Sequence, residues 1–318
     1  MSEPFRSLSI VVGVLVALLT VASGLIWLER RLLALWQDRL GPNRVGPFGL
    51  LQVAADMIKI FSKEDWIPPF ADKPVFVLAP AIIMIAVLTA FAVVPFAPGI
   101  VVADLNIGLL VFLGLSSLGV YSITLAGWSS NSKYPLLGGL RAAGQMLSYE
   151  VFMGLSLMGV VMLTGSFNLS QIVEAQKTLW FCVPQFLGLV VFLAAGFAET
   201  RRVPFDLPED DSVLVAGFHS EYSGIKFGMF FVGEYLGITL ISAMLVTLFF
   251  GGWLGPAPVP PVVWFAVKTF IVISGFVLVR AALPRPRPDQ LMALGWKVML
   301  PLALLNLVVT GAVVLSMG

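Results

Sequence analysis

Two glutamates, Glu150 and Glu234, sit inside stretches that are otherwise apolar enough to cross a bilayer. A carboxylate within a membrane helix costs roughly 2.5–3.5 kcal/mol on insertion scales, so it normally faces a polar cavity or a proton or ion path. In a low dielectric the charge of such an acid is set by its neighbours, which is what a proton relay requires. The competing role is a neutral acid or an ion pair that holds helices together. If their helices start near Ala142 and Phe227, Glu150 lies about 12 Å inside one end of the bundle and Glu234 about 10 Å. The two helices run in the same direction, so the acids are expected at a shared depth.

A second constellation is the run Glu199-Thr200-Arg201-Arg202-Val203-Pro204-Phe205-Asp206-Leu207-Pro208-Glu209-Asp210-Asp211. Five acids and two arginines, stiffened by two prolines, could line the mouth of a charged funnel. The alternative is a solvated loop with ordinary surface charges. Val203, Phe205 and Leu207 favour a loop that packs. His219, Glu221 and Tyr222 follow in the same connection; a histidine here could donate to a polar headgroup, although one satisfied by its neighbours is the commoner case. Cys182 has the default role of a small apolar packing residue. The connection 283–290 alternates prolines with Arg285 and Arg287, a stiff cationic segment suited to gripping carboxylates or to fixing topology.

Positioning these groups requires a membrane bundle. Hydrophobic residues make up 58% of the 318 and charged ones only 12%. With a mean hydropathy of +0.97, this composition excludes a water-soluble domain. A net charge of +1 points to no nucleic-acid partner. One cysteine and one histidine exclude a disulfide or cysteine-ligated cluster and argue against haem or zinc within this chain. No phosphate loop or metal-ligand spacing is present, so hydride or multi-electron chemistry would belong to partner subunits. No cleavable leader is expected, because the first apolar stretch is long enough to span.

About 20 apolar residues make a span, and eight are read: 7–28, 75–94, 105–129, 142–164, 179–198, 227–250, 262–283 and 291–315. The fold class expected is all-α, a single polytopic membrane domain over 1–318. The loops after the odd-numbered spans carry most of the Lys and Arg residues, and the opposite side holds only Arg6 and Lys177. The positive-inside rule makes the crowded side cytoplasmic and turns both termini outward. Two cytoplasmic loops, 29–74 and 199–226, are long and charged, as a docking surface or site would be. Within the first, Gly49–Ser62 reads as an amphipathic interfacial helix, with Leu50, Val53, Met57, Ile58 and Phe61 on one face and Gln52, Asp56, Lys59 and Lys63 on the other.

Several ordered motifs carry a resemblance over essentially the whole chain: Glu29-Arg30-Arg31; 41–47 (Gly-Pro-Asn-Arg-Val-Gly-Pro); Ala55-Asp56-Met57-Ile58-Lys59 with Lys63-Glu64-Asp65; 127–134 (Gly-Trp-Ser-Ser-Asn-Ser-Lys-Tyr); Ser148-Tyr149-Glu150-Val151; Pro204 to Glu209; Glu221-Tyr222-Ser223-Gly224; and Arg285 to Gln290. In these the chain resembles the family of respiratory complex I membrane subunits at which quinone enters, called the H subunit in bacterial proton-pumping NADH:quinone oxidoreductase. The resemblance implies a quinone chamber reached by an apolar passage from the lipid. Flavin and iron–sulfur clusters would be carried by partner subunits, and this chain would have no redox cofactor or metal of its own.

By the same resemblance Glu29, Arg30, Arg39, Asp56, Phe205 and Arg285 match quinone-passage positions. Glu150, Glu199, Glu209, Asp211, Glu221 and Glu234 match acids that link the chamber to the proton path. Implied partners are the hydrophilic-arm subunits around the terminal cluster, adjacent small membrane subunits and antiporter-like subunits, in a bacterial inner membrane. The acidic loop departs from the family's usual pattern at Asp210, Asp211 and Val213, and Arg201 stands where asparagine is frequent. A coupling subunit of a membrane-bound hydrogenase or formate hydrogenlyase is the neighbouring alternative. A stand-alone ion transporter is the distant one, for which no internal repeat is seen.

Overall fold

A computed structural model of the chain describes residues 3–208, 215–256 and 258–317. Glu209 and Asp211 lie outside the described residues. The described residues form helices and connections with no strand beyond one isolated bridge between Ala97 and Ile100. The helices are α1 (Glu3–Trp36), α2 (Gln52–Ser62), α3 (Lys73–Ala90), α4 (Gly108–Ser129), α5 (Lys133–Thr164), α6 (Leu169–Ala175), α7 (Phe186–Glu199), α8 (Gly224–Phe249), α9 (Pro261–Ala282), α10 (Pro288–Leu294) and α11 (Leu300–Met317). A π-helical turn, Gly295–Met299, joins the last two into one rod. Gly295 lets this rod approach α5 closely, because a Cβ there would press on the Phe152 ring at 3.1 Å.

Seven of these rods are long and apolar enough to cross a membrane, so the chain is an all-helical, polytopic membrane protein. The expected fifth span, 179–198, is helical only over the 14 residues of α7, a rise of about 21 Å. Three other boundaries also differ from the sequence expectation. α1 continues past Leu28 to Trp36, so Glu29, Arg30 and Arg31 lie on a helix and not in a loop. α5 begins at Lys133, before the expected Ala142. α2 begins at Gln52, because Gly46 and Gly49 take positive φ around a 3₁₀ turn that only glycine adopts without strain.

α5 extends early because its first turns have a partner. At Gly127 of α4 a Cβ would fall 2.5 Å from the Pro135 carbonyl oxygen, and at Gly138 a Cβ would fall 2.7 Å from the Phe218 backbone nitrogen. Small residues let helix backbones approach where lipid gives no hydrophobic drive. Across the next interface, Ser122 Oγ donates to the Ala79 carbonyl at 2.6 Å, tying α4 to α3. α8 is the central helix. Each residue from Ile238 to Phe249 is buried and none is ionisable, as expected for a helical segment with no polar face. α1, α3, α7 and α9 pack against it, with the α7–α8 connection folded over the end from which α8 starts.

Candidate functional site

The end of the bundle where α8 starts holds a buried charge cluster drawn from four elements. Glu29 on α1 is 4% exposed and Arg202, after α7, is 7% exposed. Arg202 Nη1 lies 2.9 Å from Glu29 Oε1 and its Nε lies 2.6 Å from Glu234 Oε1 on α8. Arg280, from the last turn of α9, also pairs with Glu29. The Arg202 guanidinium further sits over the Tyr235 ring, 4.8 Å from its centroid, a stabilising cation–π geometry. Two carboxylates thus face two guanidiniums, and the cluster is formally neutral. Burial opposes the charge on Arg202, but Glu234 and Glu29 outweigh it and push the group's proton affinity up, so this arginine is permanently cationic.

The segment that delivers Arg202 is buried from Thr200 to Pro208, apart from a half-buried Pro204. A charged run can be held inside only if its polar atoms find partners. Gln145 of α5 supplies two bonds: its Nε2 donates to the carbonyls of Ala198 and Phe205, both at 2.8 Å. Phe205 packs edge-on against Tyr149 with ring centroids 5.3 Å apart. Asp206 Oδ2 accepts from Arg285 Nη2 at 2.8 Å, so the two charged connections grip one another. Arg201 lies over the Phe218 ring at 5.4 Å.

Two cavities meet at this cluster. One, of about 140 Å³, is bordered by Arg201, Arg202, Asp206, His219, Glu234 and Arg280 together with phenylalanines. The second, of about 50 Å³, runs between α3, α4, α7 and α8; it has mostly apolar walls but contains Ser116, Glu199, Arg201 and Glu234. Arg201 and Glu234 line both. A larger apolar groove of about 790 Å³ lies between α1, α8 and α9. It shares no lining residue with the other two and contains no ionisable side chain.

Beyond the second cavity the acids continue. Glu199, at the end of α7, is within electrostatic reach of Glu150 on α5 and of Arg201. Glu150 lies near the Ser117 side chain of α4, whose hydroxyl donates to the Leu113 carbonyl. One oxygen of each acid, Glu150 Oε1 and Glu199 Oε2, is buried with no hydrogen-bond partner. Counted from the helix starts, Glu150 lies about 26 Å along α5 and Glu234 about 15 Å along α8. The two acids are linked only through Glu199, which is within electrostatic reach of Glu150 and lines the second cavity with Glu234. α5 and α8 do not touch through these acids; α7 and its Glu199 stand between them.

The other expected residues separate. Arg30 Nη1 lies 2.6 Å from Asp56 Oδ2, fastening α2 to α1 at the surface. Burial pushes the Asp56 carboxyl up, but hydrogen bonds from Lys59, Gln52 and Arg30 outweigh it and hold the group below its ordinary range. Ile58 and Phe61 on this helix, and Leu50 just before it, remain exposed. Arg39 is exposed and donates to Gln37. Glu221 is half-buried in the turn before Tyr222. Arg202, Arg280 and Gln145 are the functional candidates that sequence reasoning did not single out. Among the described residues no group of three or more His, Cys, Asp and Glu side chains is placed to hold a metal ion.

Comparison with known proteins adds an independent line. A family model described as NADH dehydrogenase matches residues 8–311. A protein of Methylococcus capsulatus, named as the H subunit of NADH-quinone oxidoreductase, is 67% identical over 308 residues, covering 97% of this chain and 98% of that protein.

Proposed function

Since this chain belongs to the NADH dehydrogenase family, we propose that it is the quinone-binding, proton-coupling membrane subunit of a proton-pumping NADH:quinone oxidoreductase. The observation that carries this reading is the Arg202 guanidinium shared by Glu29 and Glu234 at the wall of a polar cavity. Flavin and iron–sulfur clusters reside on partner subunits, and electrons arrive from outside this chain. The enzyme sits in a bacterial inner membrane with the charged connections cytoplasmic, facing the hydrophilic arm. Small membrane subunits and antiporter-like subunits adjoin the bundle.

The quinone headgroup approaches the cavity bordered by Arg202, Asp206, His219 and Arg280. Conversion of quinone to quinol takes two electrons and two protons. Negative charge developing on the headgroup competes with Glu234 and Glu29 for the guanidiniums, because an interaction of unit charges at such distances is strong in a desolvated site. Glu234, partly released from Arg202, then takes up a proton. Glu199 and Glu150 each carry a carboxylate oxygen without a partner. A buried oxygen of that kind is costly while ionised, so both acids rest protonated: Glu199 supplies the proton that Glu234 takes up, Glu150 resupplies Glu199, and the proton deficit is left on Glu150.

The test is the pair Glu150→Gln and Glu234→Gln in the assembled complex. Both lower quinone-linked NADH oxidation and leave NADH oxidation by a hydrophilic artificial acceptor unchanged. Full quinone-linked activity in both variants contradicts the relay.

A further inference from the structure

Lys268 is a charged group that neither cavity uses. It lies on α9, half-buried, at the bundle end opposite the charge cluster. Its Nζ donates to the carbonyls of Leu254 at 2.6 Å, Phe250 at 2.7 Å and Gly252 at 3.1 Å. The ammonium also stands 4.3 Å from the centroid of the Trp180 ring. An ammonium has three N–H donors and no acceptor, and all three are used. A neutral amine would turn its lone pair on one of these oxygens, so the cage selects the cation.

The chain is built to present those carbonyls. Gly251 and Gly252 take φ of 70° and 49°, turning the chain just past the end of α8. Side chains are barred at both, since a Cβ would meet the Trp180 ring at 2.9 Å and Val173 at 2.7 Å. Gln176 Oε1 accepts from the Gly251 N–H at 2.9 Å and its Nε2 donates to the Thr247 carbonyl at 2.9 Å. Trp180 completes the site from the connection before α7. The cage also receives the negative end of the α8 dipole.

We propose that the Phe250, Gly252 and Leu254 carbonyls and the Trp180 face form an intramembrane site for a primary ammonium, filled by the chain's own Lys268, and that this clamp positions α8 against α9. The two helices are then fastened at both ends. At the far end Arg280 of α9 meets Glu29, which shares Arg202 with Glu234 of α8. Lys268 is a positioning residue, acting on Glu234 through the register of the two rods. That consequence rests on the function proposed above for Glu234; the ammonium site itself does not.

The experiment compares K268A and K268M in the assembled complex, with and without added propylammonium, which replaces the atoms K268A removes. Two quantities are read: the thermal inactivation midpoint, and quinone-linked turnover divided by artificial-acceptor turnover. K268A lowers the midpoint and lowers the ratio by about tenfold, the scale of a long-range coupling contact. Propylammonium restores both, propanol restores neither, and K268M stays depressed with or without amine. If K268A does not assemble, growth with propylammonium restores assembly. Equal rescue by propanol, no rescue by the amine, or a K268M complex like the unsubstituted one overturns the ammonium site. Amine-specific rescue of the midpoint with an unmoved ratio overturns the positioning role if E234Q impairs quinone-linked turnover. If E234Q is fully active, the same result sinks the relay and leaves the site standing.

Discussion

Glu29 and Glu234, far apart in the chain, are held by one side chain: Arg202 reaches the first through Nη1 at 2.9 Å and the second through Nε at 2.6 Å. Any charge that draws Arg202 toward the adjoining cavity loosens both acids at once. The arrangement converts an event at one point into a change on two helices, α1 and α8.

Removing Arg202 takes a guanidinium from both carboxylates. Arg202→Met should therefore cost about 3–5 kcal/mol, the usual penalty for breaking a buried pair from one side. Adding Glu234→Gln to that variant should return part of the loss, with a coupling of about 0.5–3 kcal/mol between the two positions. Thermal inactivation of the single and double variants measures it, and strict additivity would show that the contact is idle.

Glu199 behaves differently. One of its oxygens has no partner to lose, so Glu199→Gln keeps the shape and should leave the thermal midpoint close to that of the parent. Quinone-linked turnover should fall while the artificial-acceptor rate holds. A variant that loses stability but not turnover would reassign Glu199 to structure.

The Arg30–Asp56 pair should be insensitive to pH across the working range. The folded Asp56 carboxyl lies below its ordinary value of 3.8, so its stabilising contribution is fully present above that value. The contribution is lost only as pH falls through the lower folded value. A spin label on α2 should stay immobile down to about pH 4 and loosen below it. With Asp56→Asn the label should be looser throughout, with no such transition.

Tyr222 is a structural counterpart. Its ring stacks on Phe76 with centroids 3.9 Å apart, and its hydroxyl donates to the Phe76 carbonyl at 3.2 Å. Burial pushes this phenol up to about 12. Tyr222→Phe retains the stack and loses the hydroxyl bond. It should lower stability by about 0.5–1.5 kcal/mol without altering the ratio of quinone-linked to artificial-acceptor turnover.

The membrane bundle and the acids within its spans are legible from sequence, because a charge in an apolar run stands out without any tertiary information. Arg202 is not, since a run such as 199–211 reads the same whether it is solvated or folded inward. What decides is Gln145, more than fifty residues upstream in the sequence, which satisfies the carbonyls on either side of it. The early start of α5 is hidden for a related reason: Gly138 and Gly139 weaken a helix by propensity but allow the close approach of α4 and the turn at Phe218. α1 runs on past Leu28 because its last turns face Arg202, Arg280 and Asp56, partners that no local pattern records. Arg39 matches a motif and yet stands apart from the cluster, as motif matching ignores where a loop turns.

The most direct test is redox-induced infrared difference spectroscopy of the assembled complex in the carboxyl C=O region, with quinone oxidised and then reduced. A protonated-carboxyl band should appear on reduction and be missing in Glu234→Gln. Superimposable difference spectra from the parent and that variant would contradict the relay.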